Sequence, residues 1–196
     1  RYLLKLDCWY FYAKKLPKVY CFVNNFNLSE LLRLSKGISI IYRNYNKIDH
    51  INNIIKLKKF CRNSKNEFYL SNNIKLAINL GLDGVYIPSF NKKLNYTQIY
   101  SLPKSFKIIG SAHNFSEIII KQKQNCDKIF LSPTFQVDKS RKFLGIVKFN
   151  LIALNSRTEC IALGGINKKN YKKIKLLNSS GFASISWAKK NGLSKT

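Results

Sequence analysis

The stretch Phe68-Tyr69-Leu70-Ser71-Asn72-Asn73-Ile74-Lys75-Leu76-Ala77, running on to Gly81-Leu82-Asp83-Gly84-Val85-Tyr86-Ile87, reads as one strand–helix–strand unit. Phe68 to Leu70 is a short apolar run, suited to a strand covered on both faces. Asn73 to Leu80 sets Ile74, Ala77 and Ile78 on one helical face. Gly81 and Asp83-Gly84 mark a turn, and Val85 to Ile87 is apolar again.

The same alternation extends in both directions. Further strands are expected at Val19 to Val23, Ile38 to Tyr42, Lys107 to Ile109, Lys128 to Leu131, Cys160 to Leu163 and Phe182 to Ile185. Asn27-Leu28-Ser29-Glu30 opens a short helix, and Ile48 to Cys61 has helical apolar spacing. Asn114 is placed to cap a helix over Ser116 to Lys123. Phe149 to Asn155 and Asn167 to Leu177 complete the helical set. Eight strands, nearly all followed by a helix, predict an α/β fold and a single-domain (β/α)8 TIM barrel. An open doubly wound sheet is the alternative, but no G-x-G-x-x-G follows the first strand. Residues 18–190 are assigned to the barrel, 1–17 to an N-terminal extension expected to be helical, and 191–196 to a tail. Asn91 to Asn95 and Asp138 to Lys142 read as exposed loops.

The 196 residues carry 35 Lys+Arg against 9 Asp+Glu, a formal charge of +26. Hydrophobic residues make up 45%, enough for a core and too many for wholesale disorder. Such a charge suits binding to nucleic acid or an anionic surface. It also suits plain codon bias, since Lys is spread along the whole chain among many Asn and Ile. The second reading is preferred, so nucleic acid is not the expected partner. The scarce acids are more informative: any magnesium or two-carboxylate site must be built from nine residues. The five cysteines are odd in number and form no C-x-x-C pair, and there are only two histidines. That argues against a zinc site or a disulfide framework and predicts a reducing cytoplasm. No apolar run reaches membrane-spanning length. The first 18 residues do not read as a secretory signal. No Met occurs at position 1 or elsewhere, which leaves room for residues upstream.

In a barrel the chemistry sits at the carboxyl ends of the strands. Ala162-Leu163-Gly164-Gly165-Ile166-Asn167 is the clearest such end. Two glycines let backbone approach a ligand, and a following helix N-terminus would present free N–H groups to an anion. Ile185 and Ser186 at the last strand end would lie beside it. A bare tight turn is the competing reading of Gly164-Gly165. Arg43 follows an apolar strand and suits oxyanion or phosphate binding. Ser71, Asn72, Ser111 and His113 stand at other strand ends, and His113 could serve as acid or base. Lys139, Arg141 and Lys142 could close over an anionic substrate.

These segments also resemble a known family in order. Phe68 to Ile87 resembles the "F-I-V-N-D-D…L-A…G-A-D-G-V-H-L" signature of thiamine phosphate synthases. Gly110-Ser111-Ala112-His113 resembles their "G-x-S-x-H" segment, and Asp127 to Phe135 their "A-D-Y…G-P-x-F" strand. Ala162 to Ile166 resembles "A-I-G-G-I", and Gly181 to Ser186 resembles "G-A-D-G-V-A-V-V-S". The resemblance covers roughly residues 19–188 and extends to the TenI-type thiazole tautomerases. It implies a transferase of thiamine biosynthesis that joins hydroxymethylpyrimidine diphosphate to a thiazole phosphate and releases diphosphate. The implied route is dissociative, with a pyrimidine cation attacked by the thiazole nitrogen. By position, Gly164, Gly165, Ile185 and Ser186 would hold the thiazole phosphate. Arg43 would face the diphosphate, and Ser111 the pyrimidine. A thiazole tautomerase using His113, and a non-catalytic basic phosphate-ligand or nucleic-acid binding protein, are the alternatives.

The departures from the family pattern are local. Its strand-two Q-x-R-x-K motif keeps only Arg43. Its two magnesium-binding aspartates fall on Asn72 and Asn91. Its "P-T-x-T-K" loop becomes Gln136-Val137-Asp138-Lys139-Ser140, where Lys139 or Arg141 could supply the cation. Asn is a weaker Mg²⁺ ligand than Asp, so the expectation is a retained phosphate half and an eroded metal half.

Overall fold

Along the strands the side chains alternate strictly between two destinations. Tyr20 and Phe22 point into one apolar cluster with Ile41, Tyr69, Tyr86, Ile109, Phe130 and Ile161. Their neighbours Cys21, Val23, Ile40, Tyr42, Phe68 and Leu70 belong to a second cluster, and Val85, Ile87, Ile108, Ile129 and Leu131 to a third. A period of two with both faces apolar is what a sheet closed on itself and wrapped by helices requires.

The computed structural model describes residues 18–34, 37–44, 50–138 and 142–184. Eight parallel strands close into a barrel in sequence order. They are β1 (Lys18–Val23), β2 (Ser39–Tyr42), β3 (Phe68–Ser71), β4 (Gly84–Ile87), β5 (Lys107–Ala112), β6 (Lys128–Leu131), β7 (Glu159–Leu163) and β8 (Gly181–Ser184). Tyr20 pairs with Ser39 on one side and Ala183 on the other, which completes the ring. The helices are α1 (Leu28–Leu31), α2 (His50–Ser64), α3 (Ile74–Asn79), α4 (Phe115–Lys123) and α5 (Gly145–Leu154). Asn73 and Asn114 cap α3 and α4 by accepting the N–H of Leu76 and Glu117, each at 3.0 Å.

Two expectations need correction. The helix expected over Asn167 to Leu177 is only a 3₁₀ segment, Tyr171–Leu176. Asn167 and Asn170 bond the intervening backbone instead, in a local turn that competes with a helix. The stretch Asn91 to Asn95, expected as an exposed loop, is buried at Asn91. Residues 88–106 pass through turns, anchored from α4 by a lysine described below. The expected extension 1–17 and tail 191–196 lie outside the described residues.

The barrel interior is filled with rings. Tyr20 and Phe130 meet edge to face at 5.2 Å, as do Phe22 and Tyr86. The lower end, where strands begin, is closed by charge. Glu67 pairs with Lys18 and Lys107 and accepts from Ser39 and Tyr69 hydroxyls.

Candidate active site

The carboxyl ends of the strands form the barrel mouth, and most of the expected site residues gather there. Arg43 directly follows β2. Its guanidinium carbon lies 5.0 Å from the centre of the Phe22 ring, so the side chain leans over the inner cluster. Ser111 is buried near the end of β5 and accepts a 2.9 Å hydrogen bond from the Tyr86 hydroxyl. Ser71 ends β3, and its hydroxyl is buried without a hydrogen-bond partner among the described residues. A buried hydroxyl left unpaired is costly, and a polar ligand would relieve it.

Asn72 and Asn91 meet directly. Asn91 Nδ2 donates to Asn72 Oδ1 at 2.7 Å, while Asn91 Oδ1 accepts the N–H of Lys93 at 3.2 Å. The second bond fixes which way the Asn91 amide points. Asn72 holds φ at +54°, a conformation Asn tolerates better than most residues. Two carboxylates this close would repel unless a cation lay between them. Two amides need none, because one donates where the other accepts. The donor set here does not fit a magnesium ion: it is neutral, and its facing oxygen is already used. Among the described residues no group of three His, Cys, Asp or Glu could hold a metal. Most described acids stand instead at the lower end. Glu67, Asp83, Asp127 and Glu159 are at or just before the starts of β3, β4, β6 and β7. Asp83 and Asp127 accept the N–H of Phe68 and Ile108 there.

His113 is the first residue past β5. Its Nδ1 lies 2.8 Å from the Ser132 carbonyl and its Nε2 3.1 Å from Ser89 Oγ. Its backbone N–H donates to Glu117 at 2.8 Å. Ser89 was not legible as a site residue in the sequence; its only signal is a position two residues beyond an apolar strand.

Behind the mouth, Lys121 of α4 is fully buried. Its ammonium donates to the carbonyls of Pro88 (2.8 Å) and Asn91 (2.7 Å) and to Gln124 Oε1 (2.9 Å). Burial pushes this lysine down to about 8. Gln124 in turn donates to the carbonyls of Asn91 and Lys93. The loop carrying Asn91 is therefore fixed from behind. Neither Lys121 nor Gln124 stood out in the sequence, because α4 looks like an ordinary polar-faced helix.

Gly164 and Gly165 have φ of +90° and +71°. A Cβ on Gly165 would sit 2.4 Å from the Phe135 carbonyl oxygen, and one on Gly164 would sit 3.1 Å from Pro133. The pair lets the β7 end lie against the β6 loop, where Phe135 N–H donates to Gly164 O at 3.1 Å. The expected helix N-terminus beyond them is absent. Asn170 Oδ1 takes the N–H of Asn167, and Asn167 Oδ1 takes those of Lys169 and Asn170. Any anion held here would rest on the glycine turn itself. Ile185, Ser186, Lys139 and Arg141 lie outside the described residues.

Comparison with known proteins agrees with this architecture. A thiamine-phosphate synthase of Prochlorococcus marinus subsp. pastoris is 30% identical over 168 residues, spanning 82% of this chain and 47% of its own length. One from Pelagibacter ubique is 29% identical over 173 residues, spanning 84% of this chain and 81% of its own. The chain spans about half the length of the Prochlorococcus relatives it matches. Thiamine phosphate pyrophosphorylase from Pyrococcus furiosus shares the fold, with a TM-score of 0.70, 19% identity, and 86% and 85% of the two chains covered. The profile of the family described as thiamine monophosphate synthase matches residues 28–188, most of the chain, and the protein belongs to that family.

Proposed function

We propose that this barrel joins hydroxymethylpyrimidine diphosphate to a thiazole phosphate, releasing diphosphate, and that it does so without a magnesium ion held by protein carboxylates. The observation that carries the reading is the charge arrangement at the mouth of a barrel of this family. Arg43 leans over the mouth, and buried Lys121 stands behind the Asn72–Asn91 pair with only neutral acceptors around its ammonium. A buried cation hydrogen-bonded only to neutral acceptors favours an anionic ligand nearby.

In this reading Arg43 meets the diphosphate through its planar fork. Ser71 and the Asn72–Asn91 pair line the same end of the cleft. Ser111, fixed by Tyr86, faces the pyrimidine, and the Gly164-Gly165 turn with Ile185 and Ser186 takes the thiazole phosphate. Lys139 and Arg141 supply further positive charge to the diphosphate. The carbon–oxygen bond to diphosphate breaks first, and the thiazole nitrogen then attacks the pyrimidine methylene cation. Such a route needs orientation and charge stabilisation more than a protein nucleophile. The compartment is the cytoplasm, which suits buried thiols at Cys21, Cys61, Cys126 and Cys160 that form no disulfide with one another. Among the described residues no helix is long and apolar enough to cross a membrane.

The test is an assay of the purified protein with both substrates, in Mg²⁺ and in excess chelator. Thiamine phosphate in both conditions is the expected result. No product in either overturns the reading, and product only with Mg²⁺ overturns its metal-free part. Isomerisation of a thiazole carboxylate phosphate, lost in His113→Ala, would instead identify a tautomerase.

A further inference from the structure

Three successive strand ends converge on one imidazole. Ser89 follows β4, His113 follows β5 and Ser132 follows β6. The Ser132 carbonyl can only accept, so the 2.8 Å contact places a proton on His113 Nδ1. The Ser132 hydroxyl also lies 3.3 Å from Nδ1. In neutral His113 the Nε2 lone pair accepts from the Ser89 hydroxyl at 3.1 Å; in the imidazolium Nε2 donates to Ser89 Oγ, whose own proton is then turned outward. Glu117 on α4 holds the His113 backbone N–H and is the charged group bonded to this residue among the described ones. The β4 and β6 ends face it with hydroxyls and a carbonyl. His113 is exposed and Ser89 half-buried, so both are open to solvent. Ser89 stands two residues before Asn91, on the loop end that presents the Asn72–Asn91 pair.

We propose that Ser89 is a catalytic residue that passes a proton from His113 to the departing diphosphate. The proposal rests on the transferase reading above. As the bond from the pyrimidine methylene to diphosphate oxygen breaks, the electron pair stays on oxygen. The Ser89 hydroxyl proton moves to that diphosphate, and the His113 Nε2 proton moves to Ser89 Oγ. His113 is left neutral, its proton retained on Nδ1 and hydrogen-bonded to the Ser132 carbonyl, and water restores the Nε2 proton before the next turnover. Protonation lowers the leaving group's charge by one, which supplies part of the neutralisation that a divalent cation gives elsewhere.

The experiment compares wild type with Ser89→Ala, Ser89→Thr and His113→Gln in chelator. In wild type, kcat should show an alkaline limb. Ser89→Ala and His113→Gln should each lower kcat by about 10²-fold, the usual scale of general acid catalysis, flatten that limb and leave KM for the thiazole phosphate unchanged. Ser89→Thr, which keeps the hydroxyl, should recover most of the rate. A Ser89→Ala rate within twofold of wild type with the limb intact overturns the proposal. Calorimetry with inorganic diphosphate in buffers of different ionisation enthalpy needs no turnover. Uptake of a proton on binding, lost in Ser89→Ala and in His113→Gln, is expected; uptake equal in all proteins overturns the relay even if the transferase reading fails separately.

Discussion

The two ends of the barrel solve opposite electrostatic problems. At the lower end the half-buried carboxylate is Glu67, held by two lysines and two hydroxyls. Burial alone would raise its pKa, but the bonds from Lys107, Lys18, Tyr69 and Ser39 outweigh that and hold it at about 2. At the mouth the buried charge is Lys121, held only by carbonyls and an amide. The lower end carries its own counter-charges. The mouth keeps a surplus of positive charge and an unpaired Ser71 hydroxyl. The mouth is the end at which a ligand is proposed to bind.

The largest test of this contrast is Lys121→Met. It leaves the Pro88 and Asn91 carbonyls and Gln124 Oε1 short of a donor, at a cost of about 4 kcal/mol. Urea denaturation should show that loss, and diphosphate affinity should fall with it because the loop carrying Asn91 is released. Glu67→Gln acts at the other end. It should cost about 2–3 kcal/mol in the same measurement and leave diphosphate affinity unchanged. Its pH signature is specific. A depressed carboxylate contributes stability that is fully present above its unfolded value near 4.5 and is lost as pH falls toward 2. Acid unfolding of wild type should steepen in that window, and Glu67→Gln should lack that component. The smallest effect is expected from Asn72→Asp with Asn91→Asp. Like charges should lower stability by about 1–2 kcal/mol in chelator, and added Mg²⁺ should restore the melting temperature. Wild type should show no Mg²⁺-dependent shift. A shift in wild type would break the argument that the amide pair has replaced a metal.

Much of the barrel was legible because its signals are local. Apolar runs at Ile38 to Tyr42 and Phe68 to Leu70 become strands, and Asn73 and Asn114 cap helices as their positions require. The Asn167 to Leu177 segment misled because its apolar spacing is helical while Asn167 and Asn170 offer the backbone competing bonds. The candidate site was half legible. Arg43, His113, Asn72 and Asn91 could be picked out from strand ends and family resemblance. Ser89, Lys121 and Gln124 could not, since their roles depend on residues 24 to 33 positions away.

By itself, then, the sequence determined the eight-strand alternation, the family and the shortage of acids. Local spacing and residue type carry each of these. Only the tertiary structure decided where the remaining acids go and what the asparagines do. Closing the barrel gathers Glu67, Asp83, Asp127 and Glu159 at the lower end. It also brings Asn72 within 2.7 Å of Asn91 and Ser89 within 3.1 Å of His113. Hydrogen bonds act over about 3 Å, and no linear reading of the chain shows which distant groups come that near.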